Sequence, residues 1–325
     1  MTQSERILWI DNAKGLILFF VLLYHAKFPW LIVDFVSSWF MPCFFLISGF
    51  LFRLKNDSLK QTLIHRTKTL LIPYFALSIL FVFLNPNNYD GCSIKPFMTN
   101  AWDILMGNSG FMTVSLWFVY VLFEVCCATA ILHKFIANFN ISLQLCVIGA
   151  IMIGCITGDI LFRNQALPFK LSDFFIAWLM YLLGYLTQPM LKRLQKISVT
   201  KHIIIISFLS LLIAIAIFAT KNPENYIASE MHRIVLLFAG SFSFIGLTYS
   251  ATTLIQENFI GTSLRYLANN AMCFLAVHLW VICLCQLYMP VYHPYSAAAI
   301  ALTISLLIIP LAGKYTPWLI GKYQT

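Results

Sequence analysis

The sequence predicts an all-α polytopic membrane protein with about ten transmembrane helices, forming a single membrane-embedded domain over residues 1–325. Composition is the first observation behind this. Of 325 residues, 60% are hydrophobic and only 10% charged, and the mean hydropathy is +0.83. A water-soluble domain has no use for so much apolar surface, whereas a lipid-facing bundle requires it. The second is a set of ten apolar segments, each near the length of a bilayer crossing: 8–28, 35–52, 69–84, 112–132, 142–161, 170–187, 203–219, 234–253, 271–289 and 296–313. The third is punctuation. Pro29, Pro86, Pro168, Pro189, Pro223, Pro290 and Pro294 all fall at or between segment ends, where a residue that cannot continue a helix belongs.

The first segment reads as a retained span rather than a cleaved leader, because Lys14 interrupts it and no small-x-small site follows. Lys14 and His25 are separated by ten residues, most of them apolar (GLILFFVLLY). Eleven positions is nearly three turns, so a helix points both side chains the same way, with a rise of roughly 16 Å. Asp11, three residues before Lys14, falls near the same stripe. An ionisable group carried into a membrane costs free energy and is a functional candidate by default, here a general base for a hydroxyl. The plainer readings stand beside it: His25 bonding a carbonyl at a helix end, Lys14 anchoring at the interface, and Asp11 pairing with Lys14 at the favourable end of the helix dipole.

The second segment opens SWFMPCFFLISGFLF (38–52) and reads as a packing helix, with Ser48 and Gly49 permitting close approach. Then come Arg53, Lys55, Lys60, His65, Arg66 and Lys68. This cluster either holds phosphates of a nucleotide-containing donor or marks topology and attracts anionic lipid. Arg66 and Lys68 adjoin the third segment, in whose first turn Pro73 is tolerable. The polar stretches 53–69, 85–111 and 188–202 read as loops.

Glu124 lies in the middle of the fourth segment, in SLWFVYVLFEVCC (115–127), and a carboxylate there must face a polar cavity or another span. Trp117 and Phe118, two turns earlier, form either an interfacial aromatic belt or a platform for a sugar or acyl chain. His278, in the ninth segment, follows the possible cap residues Asn269 and Asn270. It faces a cavity or bonds a neighbouring helix.

The net charge of +9 is explained by topology rather than nucleic acid. If the segments alternate, fifteen lysines and arginines fall on the side of the termini and six on the other, which places both termini in the cytoplasm. Eight of the nine cysteines sit in apolar segments and only Cys92 in a long loop; their spacing has no zinc-ligand form, so no metal is expected.

The stretch RILWIDNAKGLILFFVLLYH (6–25), followed by FMPCFFLISGFLF (40–52), resembles the integral-membrane acyltransferase 3 family, in particular its fucose 4-O-acetylase-like branch. The basic run into LLIPYF (66–75), LWFVYVLF (116–123), YLLGYL (181–186) and YLANNAMCFLAVHLW (266–280) match in the same order. The resemblance implies a bacterial inner-membrane O-acetyltransferase with no permanently bound cofactor. Acetyl-CoA from the cytoplasm would be the acyl donor, and the acceptor a hydroxyl of a cell-surface glycan, a polysaccharide or lipid-linked sugar. It implies His25 as the catalytic histidine and Lys14 as its basic companion. The family's arginine-x-x-arginine element before the third span is not cleanly present, Arg66 and Lys68 being the nearest basic residues. No further domain is expected after the tenth segment, so the bundle would handle any glycan itself. The rival class is a proton-coupled transporter or flippase with His25, Glu124 and His278 as a relay, though matched Gly/Pro-broken helices are missing.

Overall fold

A computed structural model describes residues 7–28, 35–84, 95–107, 114–165, 167–194, 200–219, 226–254 and 258–323; Pro29, Pro86, Cys92 and Pro223 lie outside them. The described residues contain helices and no strand. In chain order the helices are α1 (Leu8–His25), α2 (Phe40–Phe50), α3 (Leu59–Phe83), α4 (Lys95–Leu105), α5 (Trp117–Ile136) and α6 (Ile141–Phe162). They continue with α7 (Leu171–Leu194), α8 (Thr200–Ala219), α9 (Tyr226–Leu254), α10 (Phe259–Asn269), α11 (Ala271–Tyr288) and α12 (Pro294–Tyr315). Among the described residues, eight stretches are long and apolar enough to cross a bilayer; of the other two expected segments, the second gives the shorter helix α2 and the seventh lies within α8. The protein is an all-α polytopic membrane protein.

Three expected loops are partly helical. The stretch 53–69 starts α3 at Leu59, 85–111 contains α4, and α7 runs on to Leu194. Hydropathy averaging hides a helix whose polar side chains face water or protein, whereas local signals keep it. Ser58 caps α3 by accepting the Gln61 N–H at 3.4 Å.

The chain forms two compact units, residues 1–51 with 183–271 and residues 52–182 with 272–325. In the first, α1 packs against α10, α9 and α2, and α8 lies along α9. Gly15 on α1 faces the Leu264 backbone so closely that a Cβ would overlap its carbonyl. Gly184 on α7 meets the Leu46 carbonyl and Gly49 in the same way, the close approach that Gly49 foretold.

In the second unit, α3 is one helix with a π turn at Thr67–Leu71, where the Ile72 N–H reaches back to the Thr67 carbonyl. Pro73 explains it. Within a helix the proline ring crowds the carbonyl four residues back and gives it no N–H; here that carbonyl belongs to Thr69, and the wider π turn relieves the crowding. Gly321, at φ +72°, ends the short Pro317–Ile320 helix against that same Thr69 carbonyl. Pro73 is thus an interior residue of a long helix rather than the start of a short one. Helix α4 packs on α3, the Tyr74 hydroxyl donating to the Ile104 carbonyl at 3.0 Å. Ser115, just before α5, donates to the Leu275 carbonyl of α11 at 2.6 Å.

Candidate functional site

In the first unit α1 is helical without interruption from Leu8 to His25, so Asp11, Lys14 and His25 keep the three-turn register that their spacing predicts. Asp11 lies in the first turn, where a carboxylate suits the helix dipole, and His25 closes the last. All three are half-buried. Lys14 does not simply reach for an interface: its Nζ sits 5.7 Å from the centre of the Phe44 ring on α2, within cation–π range. The His25 ring meets Tyr24 edge-on at 5.4 Å, and Tyr24 packs on Phe40 at 6.1 Å. Phe40 and Phe44 are one turn apart on α2, so α2 runs antiparallel beside α1 with its aromatic face along the ionisable stripe. The helix that the sequence marked as packing supplies the wall of this stripe.

The opposite face of α1 does something else. Leu8, Asn12, Leu16 and Phe20 line a cavity of about 440 Å³, closed by residues of α8, α9, α10 and the segment at 35–39. Asp11, Lys14 and His25 are not among its lining. Asn12, only 9% exposed, donates from Nδ2 to the Thr252 hydroxyl at 3.0 Å.

In the second unit, Arg66 ends the first part of α3 and Lys68 lies in its π turn. The two part company. Lys68 is exposed, whereas Arg66 is half-buried and close enough to Cys127 and Tyr181 to interact electrostatically. Glu124 interacts in the same way with Cys127, Tyr120 and Tyr74. Arg66 and Glu124 thus both lie within electrostatic range of Cys127, near a 3.3 Å contact between Cys126 Sγ and the Tyr181 hydroxyl, in a polar seam among α3, α5 and α7. Glu124 Oε2 is buried with no hydrogen-bond partner among the described residues. Trp117 opens α5, half-buried and edge-on to Phe118 at 6.4 Å.

His278 is fully buried on α11. Its Nδ1 is 2.7 Å from the Phe274 carbonyl and its ring stacks on Phe274 at 5.1 Å. It is thus tied to its own helix rather than to a neighbouring one by this bond. Asn270, between α10 and α11, donates from Nδ2 to the Tyr266 carbonyl at 2.8 Å and so serves the end of α10.

Sequence reasoning missed Cys126, Cys127 and Tyr181 of the seam, because small hydrophobes and a tyrosine in an apolar run look like packing. It missed Asn12, Thr252 and Arg265 as well, although an asparagine amid apolar residues is itself a signal.

A family model described as an acyltransferase domain matches residues 7–315 and so takes in every candidate site residue. It does not single out the fucose 4-O-acetylase-like branch. No curated protein and no solved structure matches the chain.

Proposed function

Because the chain belongs to the acyltransferase 3 family, we propose that it is a membrane O-acetyltransferase that moves acetyl from acetyl-CoA to a hydroxyl of a cell-surface glycan or a lipid-linked sugar. The family makes it a membrane acyltransferase, which displaces the transporter reading; the donor, the acceptor and the roles of single residues are our reading. The observation that supports it best is the unbroken helix from Leu8 to His25, which holds Asp11, Lys14 and His25 on one stripe.

In this reading the His25 imidazole removes the proton of the acceptor hydroxyl. The oxygen attacks the thioester carbonyl, the tetrahedral intermediate collapses, and CoA leaves as the thiolate, which takes the proton back from the imidazolium. Transfer through an acetyl-imidazole divides the same bond changes into two steps. Lys14, held over Phe44, supplies positive charge along the stripe, and Asp11 offsets it at the helix start. Arg66 and Lys68 serve the donor phosphates, and Trp117, Glu124 and His278 serve substrate binding. The count of basic residues supports an inner-membrane orientation with both termini in the cytoplasm.

The test is His25→Ala in cells and in purified protein. Acetyl transfer from labelled acetyl-CoA is expected to fall by roughly 10²–10⁴-fold, the usual contribution of a general base, while the protein stays inserted and monodisperse. Mass spectrometry of surface glycans should show loss of one acetyl per acceptor unit. Near-normal transfer by that variant would remove His25 from the mechanism.

A further inference from the structure

The cavity on the other face of α1 has a built polar end. Three groups converge on Gly261 in the first turn of α10: a Cβ placed there would meet Arg265 Nη1 at 3.1 Å, Asn258 Oδ1 at 3.4 Å and Asn12 Oδ1 at 3.7 Å. Asn258 caps α10 by accepting the Gly261 N–H at 2.8 Å, so this is also the positive end of an eleven-residue helix. Asn12 Oδ1 is buried in the cavity wall with no hydrogen-bond partner among the described residues. The lining is exposed at Leu8, Asn258 and Ile260 and buried at Val36, Trp39 and Phe244, so the mouth is at the polar end and the blind end is apolar.

Three features choose the occupant. Beyond the polar end the wall is Leu16, Phe20, Phe35, Leu211, Phe244 and Leu247, which suits hydrocarbon. The pantetheine arm of a thioester would bring two amides, four polar groups, into that wall, where Trp39 Nε1 is a single unpartnered donor among the described residues; each group left unpaired costs about 1–3 kcal/mol. The mouth is flanked by Phe259 and Ile260, which are 86% and 66% exposed and which, in a membrane protein, face lipid; entry is from the bilayer. Finally, a guanidinium beside a helix N-terminus selects an anion, and phosphate is the head group whose geometry arginine matches.

We propose that this cavity binds an anionic phospholipid. One acyl chain fills the apolar end, the phosphate meets Arg265 and the first turn of α10, and a head-group hydroxyl pairs with Asn12. The site does not depend on the acetyl-transfer reading, and it stands or falls separately from it.

The experiment uses the full chain in phosphatidylcholine vesicles doped with phosphatidylglycerol that carries a diazirine at the end of one acyl chain. After irradiation, adducts are mapped by peptide mass spectrometry. They are expected on the α1 and α9 peptides that hold Leu16, Phe20 and Phe244, as well as on lipid-facing Leu209 and Leu212. Leu247→Trp fills the cavity and should remove the first set while leaving the second; Ala251→Leu makes the same test if the tryptophan variant does not fold. Arg265→Gln should lower the phosphatidylglycerol adducts roughly tenfold, about one charge-assisted hydrogen bond, and Gly261→Leu should do the same by occupying the polar end. Leucine is the better helix former, so folding of α10 is not at risk. Adducts confined to the lipid-facing residues, cavity adducts unmoved by Leu247→Trp, or cavity adducts displaced by CoA and not by unlabelled phosphatidylglycerol would each overturn the proposal.

Discussion

Helices α1 and α3 both carry basic residues into an apolar helix, and they present them in opposite ways. In α1 the backbone is regular over eighteen residues, so sequence spacing alone tells which way Lys14 and His25 point. In α3 the π turn at Thr67–Leu71 intervenes. It inserts one residue's worth of rotation, about 100°, between the basic run and the apolar half. Arg66 is half-buried and Lys68 exposed, as residues two apart on any helix would be; what their spacing does not reveal is how that pair is turned relative to the apolar half beyond the π turn. A stripe of functional groups is readable when the helix is uniform, and it scrambles at the point where the backbone departs from 3.6 residues per turn.

The largest effect should come from breaking what holds α1 in place. Gly15 lies against the Leu264 backbone, and backbone cannot rotate out of the way as a side chain can. Gly15→Val is expected to part α1 from α10 and to lower stability by about 3 kcal/mol or more, at the upper end of overpacking effects. Gly154 on α6 has nothing within 4 Å of a Cβ, so Gly154→Ala should instead gain up to about 1 kcal/mol from helix propensity. Thermal unfolding in detergent, followed by circular dichroism, reads both. An unshifted midpoint for Gly15→Val would show that the regularity of α1 does not depend on this contact.

A middle-sized effect tests the seam beside α3. Glu124 holds a carboxylate oxygen in the protein interior without a partner among the described residues, a cost of about 1–3 kcal/mol that a purely structural residue has no reason to bear. Glu124→Met, similar in length and apolar, is expected to raise the unfolding midpoint and to reduce acetyl transfer. Higher stability with unchanged transfer would reduce Glu124 to a misfit of packing and leave the ionisable stripe of α1 as the stronger candidate.

The sequence made legible those features that depend on average hydropathy or regular periodicity. The apolar segments, the first helix and the Lys14–His25 register belong here, and so does the close packing at Gly49. It hid features that depend on where a polar residue is turned. Leu59–Arg66 looked like a loop because Lys60, Gln61 and His65 lower its hydropathy, although Ser58 supplies a cap. Asn12 sits two residues from Lys14, on the opposite face of the same helix, and its role became visible only with α9 and α10 packed beside it. Helix α10 was invisible as an apolar segment because its first turn faces outward at Phe259 and Ile260 while Leu264 and Leu267 turn inward.

The smallest effect, and the sharpest test of the comparison, is Pro73→Ala. The π turn has three supports. Proline denies the Thr69 carbonyl its usual N–H, and the Gly321 backbone lies against that carbonyl. The Thr69 hydroxyl also donates back to the His65 carbonyl at 2.9 Å, a local bond that favours a departure from regular helix. Alanine restores one N–H, worth about 1 kcal/mol, and if proline is the dominant support α3 becomes regular like α1. The backbone amide that the variant gains at this position should then be protected from hydrogen exchange while residues 317–323 exchange faster, their docking carbonyl having found another partner. Peptide-level hydrogen exchange by mass spectrometry measures both segments in one experiment. Unchanged exchange at 317–323 would mean that the C-terminal turn, rather than the proline, fixes the π geometry, and that the orientation of Arg66 is set by tertiary packing instead of by local sequence.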